Sequence, residues 1–292
     1  MNNKYKKKIS FSAYAVRIFI LLITFAVAAL AVIMIGYILK RGLPNVNKEF
    51  LTTEPSLLDE NYGIAPMIIN TIYTVVLTLV VCIPVGIGTA IYLAEYAKQG
   101  KLTGIIRFTI EILAGIPSIV YGLFGLTFFV RQMHIGDYAG SMIAASLTLT
   151  LIVLPTMIRT TEESLLQVEY SYREAAVSMG VSKFYIIRTV ILPCAMPGIF
   201  VAVILSIGRM VSESAALLFT AGIANELPLN YVAHIFEPGS SLTVQLYLYA
   251  TEGGAPEWVP FAMAAVLMVI VLVIHLLSNA VAALFARKVK TQ

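Results

Sequence analysis

Charge is what this sequence has least of: 16 acidic and 20 basic side chains among 292 residues, or 12%, where soluble domains carry about a quarter. So few ions cannot cover a water-facing surface, which excludes a compact soluble enzyme. A hydrophobic content of 59% excludes a disordered chain. Cysteine is almost missing: Cys82 and Cys194 stand far apart without a CxxC pair and read as buried, inert thiols. Three scattered histidines offer no Ser–His–Asp arrangement, and no His/Cys/Asp/Glu cluster has metal-ligand spacing. No GxxxxGK[ST] element occurs, since Gly100-Lys101 is followed by Leu102 and the upstream glycine is absent. The chain therefore has no element to cradle ATP by the usual route, and no cofactor is expected. Nor is any basic tract interleaved with aromatics, so the net charge of +4 does not point to nucleic acid.

What the chain does have is apolar length, with a mean hydropathy of +0.87. Charges divide it into six silent runs: 18–39, 61–94, 112–130, 138–158, 189–208 and 258–286. About 20 apolar residues suffice for a helix to cross the ~30 Å hydrocarbon core, and none of the runs alternates like a barrel strand. Six transmembrane helices are expected, in an all-α polytopic membrane protein. Lys4, Lys6, Lys7, Lys8 and Arg17 precede the first run, and Ala29-Leu30-Ala31 offers small residues for cleavage. The run nevertheless continues to Ile38 without a polar break, so it is expected to be an uncleaved span rather than a secretory signal. With the N-terminus inside, the inner segments hold fifteen Lys and Arg. The outer segments hold four: Lys40, Arg41, Lys48 and Arg131. That bias places both termini in the cytoplasm and the basic ends against anionic lipid.

Two long loops fall outside on this topology. Residues 40–66 carry Pro44, Pro55 and Pro66 with four acids, and are expected to be irregular or partly helical. Residues 219–257 carry Glu226, Glu237, Glu252 and Glu257 but no Lys or Arg. They read either as a partly helical surface for an extracytoplasmic partner or as an inert connector. The cytoplasmic stretch 159–190 reads as helix, sharp turn, helix. Ser171-Tyr172-Arg173-Glu174 has capping-box spacing, Ala175 to Met179 continue a short helix, Gly180 supplies a left-handed stop, and Ser182 caps a second short helix through Thr189. Tyr172, Ala176 and Met179 have no reason to face water unless another surface covers them.

These residues carry a resemblance. Glu174-Ala175-Ala176, then Gly180 after three residues, then Val190-Ile191-Leu192-Pro193 after nine, resembles the EAA loop of ABC importer permeases, with Val190 where isoleucine is usual. The stretches IYLAEY (91–96), AGIPSIVYGLFG (114–125), LPTMIRTT (154–161) and RMVSESAALLFTA (209–221) narrow it to the A-type permease of bacterial phosphate ABC transporters, over roughly residues 66–287. The family commonly has Gly-Glu-Thr-Ala-Pro where this chain has Ser212-Glu213-Ser214-Ala215-Ala216. The resemblance implies a MetI-like type I importer fold in the bacterial cytoplasmic membrane, with a five-helix core preceded by one extra helix. It implies as partners a homologous second permease of the C type, two ATP-binding subunits on the cytoplasmic side, and an extracytoplasmic phosphate-binding protein. It also makes Tyr172, Glu174, Ala175, Ala176, Gly180, Leu192 and Pro193 the residues that couple to the ATPase. On this basis the chain divides into residues 1–66, with the first span and its external loop, the transport domain 67–287, and a tail at 288–292.

Arg209 and Glu213 are the charges left inside the expected spans. An unpaired mid-membrane Arg costs about 2.5–3.5 kcal/mol on insertion scales, so Arg209 should face protein or water. Glu213, four residues on, is expected on the same helix face within pairing distance. Either Arg209 lines the anion path with Glu213 holding it between passages, or the two form a structural pair bracing the interface of two permeases. Ser118, Ser206, Ser212, Ser214 and Thr220 could supply neutral contacts along such a path, although most hydroxyls in spans only bond backbone. Pro84, Pro117, Pro155 and Pro197 are expected to kink spans, and His275 reads as a packed side chain. The reading is a phosphate importer permease. A permease for sulfate or molybdate, or an autonomous ion-coupled carrier, are the alternatives.

Overall fold

The computed structural model describes residues 11–56, 60–98, 100–178 and 180–290. The basic cluster Lys4–Lys8 and Met179 lie outside them. The chain opens with α1 (Phe11–Gly42), then a short α2 (Lys48–Thr52) and a two-residue antiparallel pair, β1 (Pro55–Ser56) with β2 (Asn61–Tyr62). There follow α3 (Ala65–Ile91), α4 (Lys101–Gly115), α5 (Ser118–Gly125), α6 (Met142–Leu166), α7 (Tyr170–Ser178) and α8 (Lys183–Ile186). The last four helices are α9 (Leu192–Val211), α10 (Ala215–Thr220), α11 (Leu242–Thr251) and α12 (Trp258–Lys290).

Five helices among the described residues are long and apolar enough to cross a membrane, or six if α4 and α5, with its extension to Gln132, count as one bent span. α6 is the central one. Two thirds of its most apolar stretch is buried, whereas none of α1's is. α6 owes this place to small and hydroxylated residues that let neighbours approach. The hydroxyls of Ser146, Thr148 and Thr150 donate to carbonyls four residues back, at 2.7–2.8 Å, so they enter the interior already satisfied. Met142, Leu149, Val153 and Met157 pack there against Cys82 of α3, Ala202 and Met210 of α9, and Leu217 of α10. α1 is exposed on nearly every side and meets the bundle at its last turns. There Gly42 lies so close to Phe261 of α12 that a Cβ would collide with the backbone carbonyl. A helix apolar all round and unburied needs lipid as its solvent.

Two expectations about the spans need correction. The run 112–130 is not a straight helix: α4 and α5 meet at 99°. Pro117 drives the residue before it out of the helical region, and Ile116 is extended at ψ 131°. α4 turns its charged side toward α6, where Arg107 Nη2 donates to Glu162 at 2.7 Å and Arg159 pairs with Glu111. The second correction concerns residues 183–189, expected as a separate short helix. Lys183–Val211 instead runs as one unbroken helix. Pro193 has no N–H to donate and its ring crowds the preceding turn. The wide π turn at Ile187–Ile191 accommodates both, so the helix continues instead of stopping. The helices also continue through Pro84, Pro155 and Pro197. The loops 40–66 and 219–257 are partly helical and touch each other, the Leu227 amide donating to Glu54 at 3.0 Å.

Candidate functional site

The stretch 159–190 forms a helical hairpin at one end of the bundle. α7 begins at Tyr170, so Ser171 already lies inside its first turn, and its hydroxyl donates back to the Glu169 carboxylate at 3.3 Å. The capping box expected between Ser171 and Glu174 is therefore not formed: a helix that starts earlier leaves Ser171 no orphan amide to cap. Tyr172 and Glu174 are exposed, and Ala175 and Ala176 continue the helix. Gly180 does provide the left-handed turn, at φ +69°. Nothing lies within 4 Å of where a Cβ would stand, so the backbone conformation, not crowding, calls for glycine there. Ser182 caps α8 through the Tyr185 amide. Leu192 packs half-buried against a cluster of Ile186, Ile187, Ile191 and Ala195, while Pro193 is exposed.

What fastens this hairpin was not foreseen. Arg173, on the inner side of α7, directs its guanidinium at three acceptors. Nη2 and Nε donate to Glu95 Oε1 at 3.0 and 3.3 Å, Nη1 to the Val168 carbonyl at 2.6 Å, and Nη2 also to the Leu165 carbonyl at 2.8 Å. The Glu95 side chain is only 8% exposed and that of Arg173 19%. Lys183, from the other arm, donates to the Glu95 backbone carbonyl and lies 5.2 Å from the centre of the Tyr96 ring. Beneath the hairpin is a cavity of about 800 Å³ lined in part by Glu95, Val168, Arg173, Lys183 and Ile191. The sequence held one signal: Glu95 is the first charge after the long silent run 61–94.

The second predicted group, Arg209 with Ser212, Glu213, Ser214 and Thr220, is only partly brought together. The expected pairing of Arg209 with Glu213 is absent, because one helix does not carry both. α9 ends at Val211, residues 212–214 turn, and α10 starts at Ala215. Local hydrogen bonds break the helix. The Ser212 hydroxyl donates back to the Gly208 and Arg209 carbonyls, and the Glu213 carboxylate accepts from the Ala216 amide at 3.3 Å, opening α10. Glu213 is buried, and its own carbonyl accepts from the Thr243 hydroxyl of α11 at 2.9 Å. It thus ties α10 to α11. Thr220 and Ser206 are likewise buried, with hydroxyls given to the Ala216 and Ala202 carbonyls. Arg209 and Ser212 are exposed, and Ser214 is half-buried. Among the described residues Arg209 has no ion-pair partner. Arg209 lies in the last turn of α9, at the negative end of the helix dipole.

At the opposite end of α3, neutral and aromatic contacts hold the loop 219–257. His234 is buried, with Nε2 2.7 Å from Asn70 Oδ1 and Nδ1 3.0 Å from the Glu237 carboxylate. Asn70 Nδ2 donates to the Ser240 carbonyl, and the Tyr73 ring stands edge-on to His234. His275 on α12 is half-buried, with Nδ1 3.0 Å from the Val271 carbonyl. Among the described residues no group of three or more His, Cys, Asp or Glu could hold a metal ion.

Comparison with known proteins places these features. The family model of binding-protein-dependent transport system inner membrane components matches residues 83–291. The chain is 36% identical over 262 residues to the probable ABC transporter permease protein YqgI of Bacillus subtilis, covering 86% of this chain and 88% of that one. It is 33% identical over 254 residues to the phosphate transport system permease protein PstA of Xylella fastidiosa strain Temecula1, covering 86% and 85%. Among solved structures, a chain of the MetNI methionine ABC transporter in an inward-facing conformation superposes with a TM-score of 0.61 at 21% identity, over 76% of this chain and 94% of that one.

Proposed function

The chain belongs to the family of binding-protein-dependent transport system inner membrane components, and on that premise we propose that the anion it carries is inorganic phosphate. The family makes it a multi-pass inner membrane protein and the non-catalytic permease subunit of an ABC importer, which works with an ATPase and a binding protein. That sets aside an autonomous ion-coupled carrier. Phosphate is supported by relatives, named as phosphate permeases, that align over most of the chain. The observation that carries the reading is Arg209, a guanidinium at the end of a span that pairs with no carboxylate among the described residues. Such a cation offers a planar fork of donors to a tetrahedral oxyanion, with the exposed Ser212 hydroxyl one helical turn away. Glu213, which would repel the anion, is turned inward and occupied.

The rest of the assembly follows the basic-residue bias and the EAA-like loop. Both termini and the hairpin 159–190 face the cytoplasm. There Tyr172, Glu174, Ala175, Ala176 and Gly180, with Leu192 and Pro193 at the start of α9, couple to the ATP-binding subunits, two of which lie on that side. The loops 40–66 and 219–257 face a phosphate-binding protein outside, and a homologous permease completes the pathway. Residues 67–287 form the transport domain, preceded by the segment 1–66 and followed by the tail 288–292. The test is uptake of radiolabelled phosphate by the whole transporter in liposomes. Arg209→Ala is expected to lower uptake by about two orders of magnitude, the scale of the two charge-assisted hydrogen bonds of one guanidinium fork, while all subunits still co-purify. Native uptake of sulfate or molybdate with phosphate excluded replaces the substrate, and loss of assembly in Arg209→Ala replaces the role of the residue.

A further inference from the structure

We infer that Glu95, Arg173 and Lys183 are positioning residues that make the hairpin 170–186 move as one piece with the ends of α3 and α6, so that a push on α7 reaches the spans. The inference rests on the coupling role proposed for that hairpin. α7 has nine residues, too few for a helix to hold itself in water, and Tyr172, Glu174 and Ser178 on it are exposed. Its covalent link to α8 is the turn at Gly180, which has open space around it and a backbone conformation suited to a hinge. Joined to the bundle only by that turn and by residues 167–169, which link it to α6, a displaced α7 would swing on these links and pass little of its motion to α3.

Arg173 removes that freedom. It lies on the opposite side of α7 from solvent and spans two different helices at once, with Glu95 in the π turn Tyr92–Tyr96 that ends α3, and the Leu165 and Val168 carbonyls at the end of α6. The last carbonyls of a helix have no partner within it and carry its negative dipole, so a cation satisfies both the orphan groups and the field. Glu95 is nearly buried, which strengthens its hydrogen bonds and makes separation of the pair costly. Lys183 seats the other arm on the same π turn, through the Glu95 carbonyl and the Tyr96 ring. Both arms of the hairpin therefore bear on one short segment of α3, on either side of the hinge. A lysine at position 173 could not reproduce the arrangement, since its single ammonium cannot reach a carboxylate and two carbonyls in fork geometry.

The test uses the complete transporter in liposomes, with phosphate uptake and ATP hydrolysis measured together. Glu95→Gln keeps the shape and removes the charge. It is expected to assemble, to retain basal ATP hydrolysis, and to lose about tenfold in phosphate carried per ATP, the scale of one charge-assisted hydrogen bond. Arg173→Lys should recover part of the ratio that Arg173→Ala loses. A Glu95→Gln complex with the native ratio overturns the inference, as does one whose thermal stability falls while the ratio holds. If Glu95→Gln does not assemble, Lys183→Met decides, because that side chain is exposed and its loss is compatible with folding; there a native ratio overturns the inference and a reduced one supports it. Gly180→Pro separates this inference from the reading beneath it. If Gly180→Pro uncouples and Glu95→Gln does not, only the latch is wrong. If Gly180→Pro also keeps the native ratio, the coupling role of the hairpin fails.

Discussion

The two ends of α3 are held by different chemistry. At the end near residue 95, ions do the fastening: Arg173 with Glu95, and across α4 and α6, Arg107 with Glu162 and Arg159 with Glu111. At the end near residue 70, neutral amides and hydroxyls dominate. Asn70, Ser240, Ser241, Thr243 and Gln245 are all buried, and His234 is inserted among them. Where its partners are in place, as at Asn70, His234 and Ser240, a buried network defines one geometry and resists opening. Largely exposed pairs such as Arg159 with Glu111 trade protein partners for water at small cost, whereas the nearly buried pair of Arg173 with Glu95 is costly to separate. The hairpin 170–186 is thus clamped by ions on its inner side and open to solvent on the other, whereas the loop 219–257 is keyed into the bundle by neutral groups.

The largest expected effect that sharpens this contrast is at Gly180. Proline is locked near φ −65° and cannot adopt the observed +69°, so Gly180→Pro should re-aim α7 and abolish uptake, while the purified protein melts within a few degrees of native. At the other end His234→Ala should act in reverse. Leaving Asn70 and Glu237 without their buried partner costs about 1–3 kcal/mol, seen as a lower Tm in detergent, with substrate carried per ATP unchanged. A coupling defect in His234→Ala without loss of stability would erase the distinction. The smallest effect belongs to Arg159→Gln. Arg159 and Glu111 are 44% and 59% exposed, and such pairs contribute about 0–1 kcal/mol, so both Tm and uptake should stay close to native.

How much was legible depended on the distance between interacting residues. The charge-free runs located the helices because the cost of burying ions acts on each segment alone. Gly180 was legible because a left-handed turn is a local demand. The bend at Ile116-Pro117 had its cause in plain view, but a run of the right length outweighed the proline. Arg209 and Glu213 misled through their spacing of four: that spacing implies pairing only within a helix, and Ser212 with Glu213 ends the helix between them. Of the contacts of Arg173, only the position of Glu95 at the end of a charge-free run left a trace in the sequence. Glu95 lies 78 residues away from Arg173, whose other acceptors are carbonyls, which every residue carries.

The sequence by itself determined that the chain lives in a bilayer, roughly where it crosses, and that a helical hairpin turns at Gly180, because hydration of charge and backbone sterics act locally. Only the tertiary structure decided which ions find each other and which remain free. Glu95 is held by Arg173 and Glu213 serves α10 and α11, which leaves Arg209 without a carboxylate among the described residues. Coulomb attraction and hydrogen bonding depend on distance in space, and that distance exists only once the helices have packed.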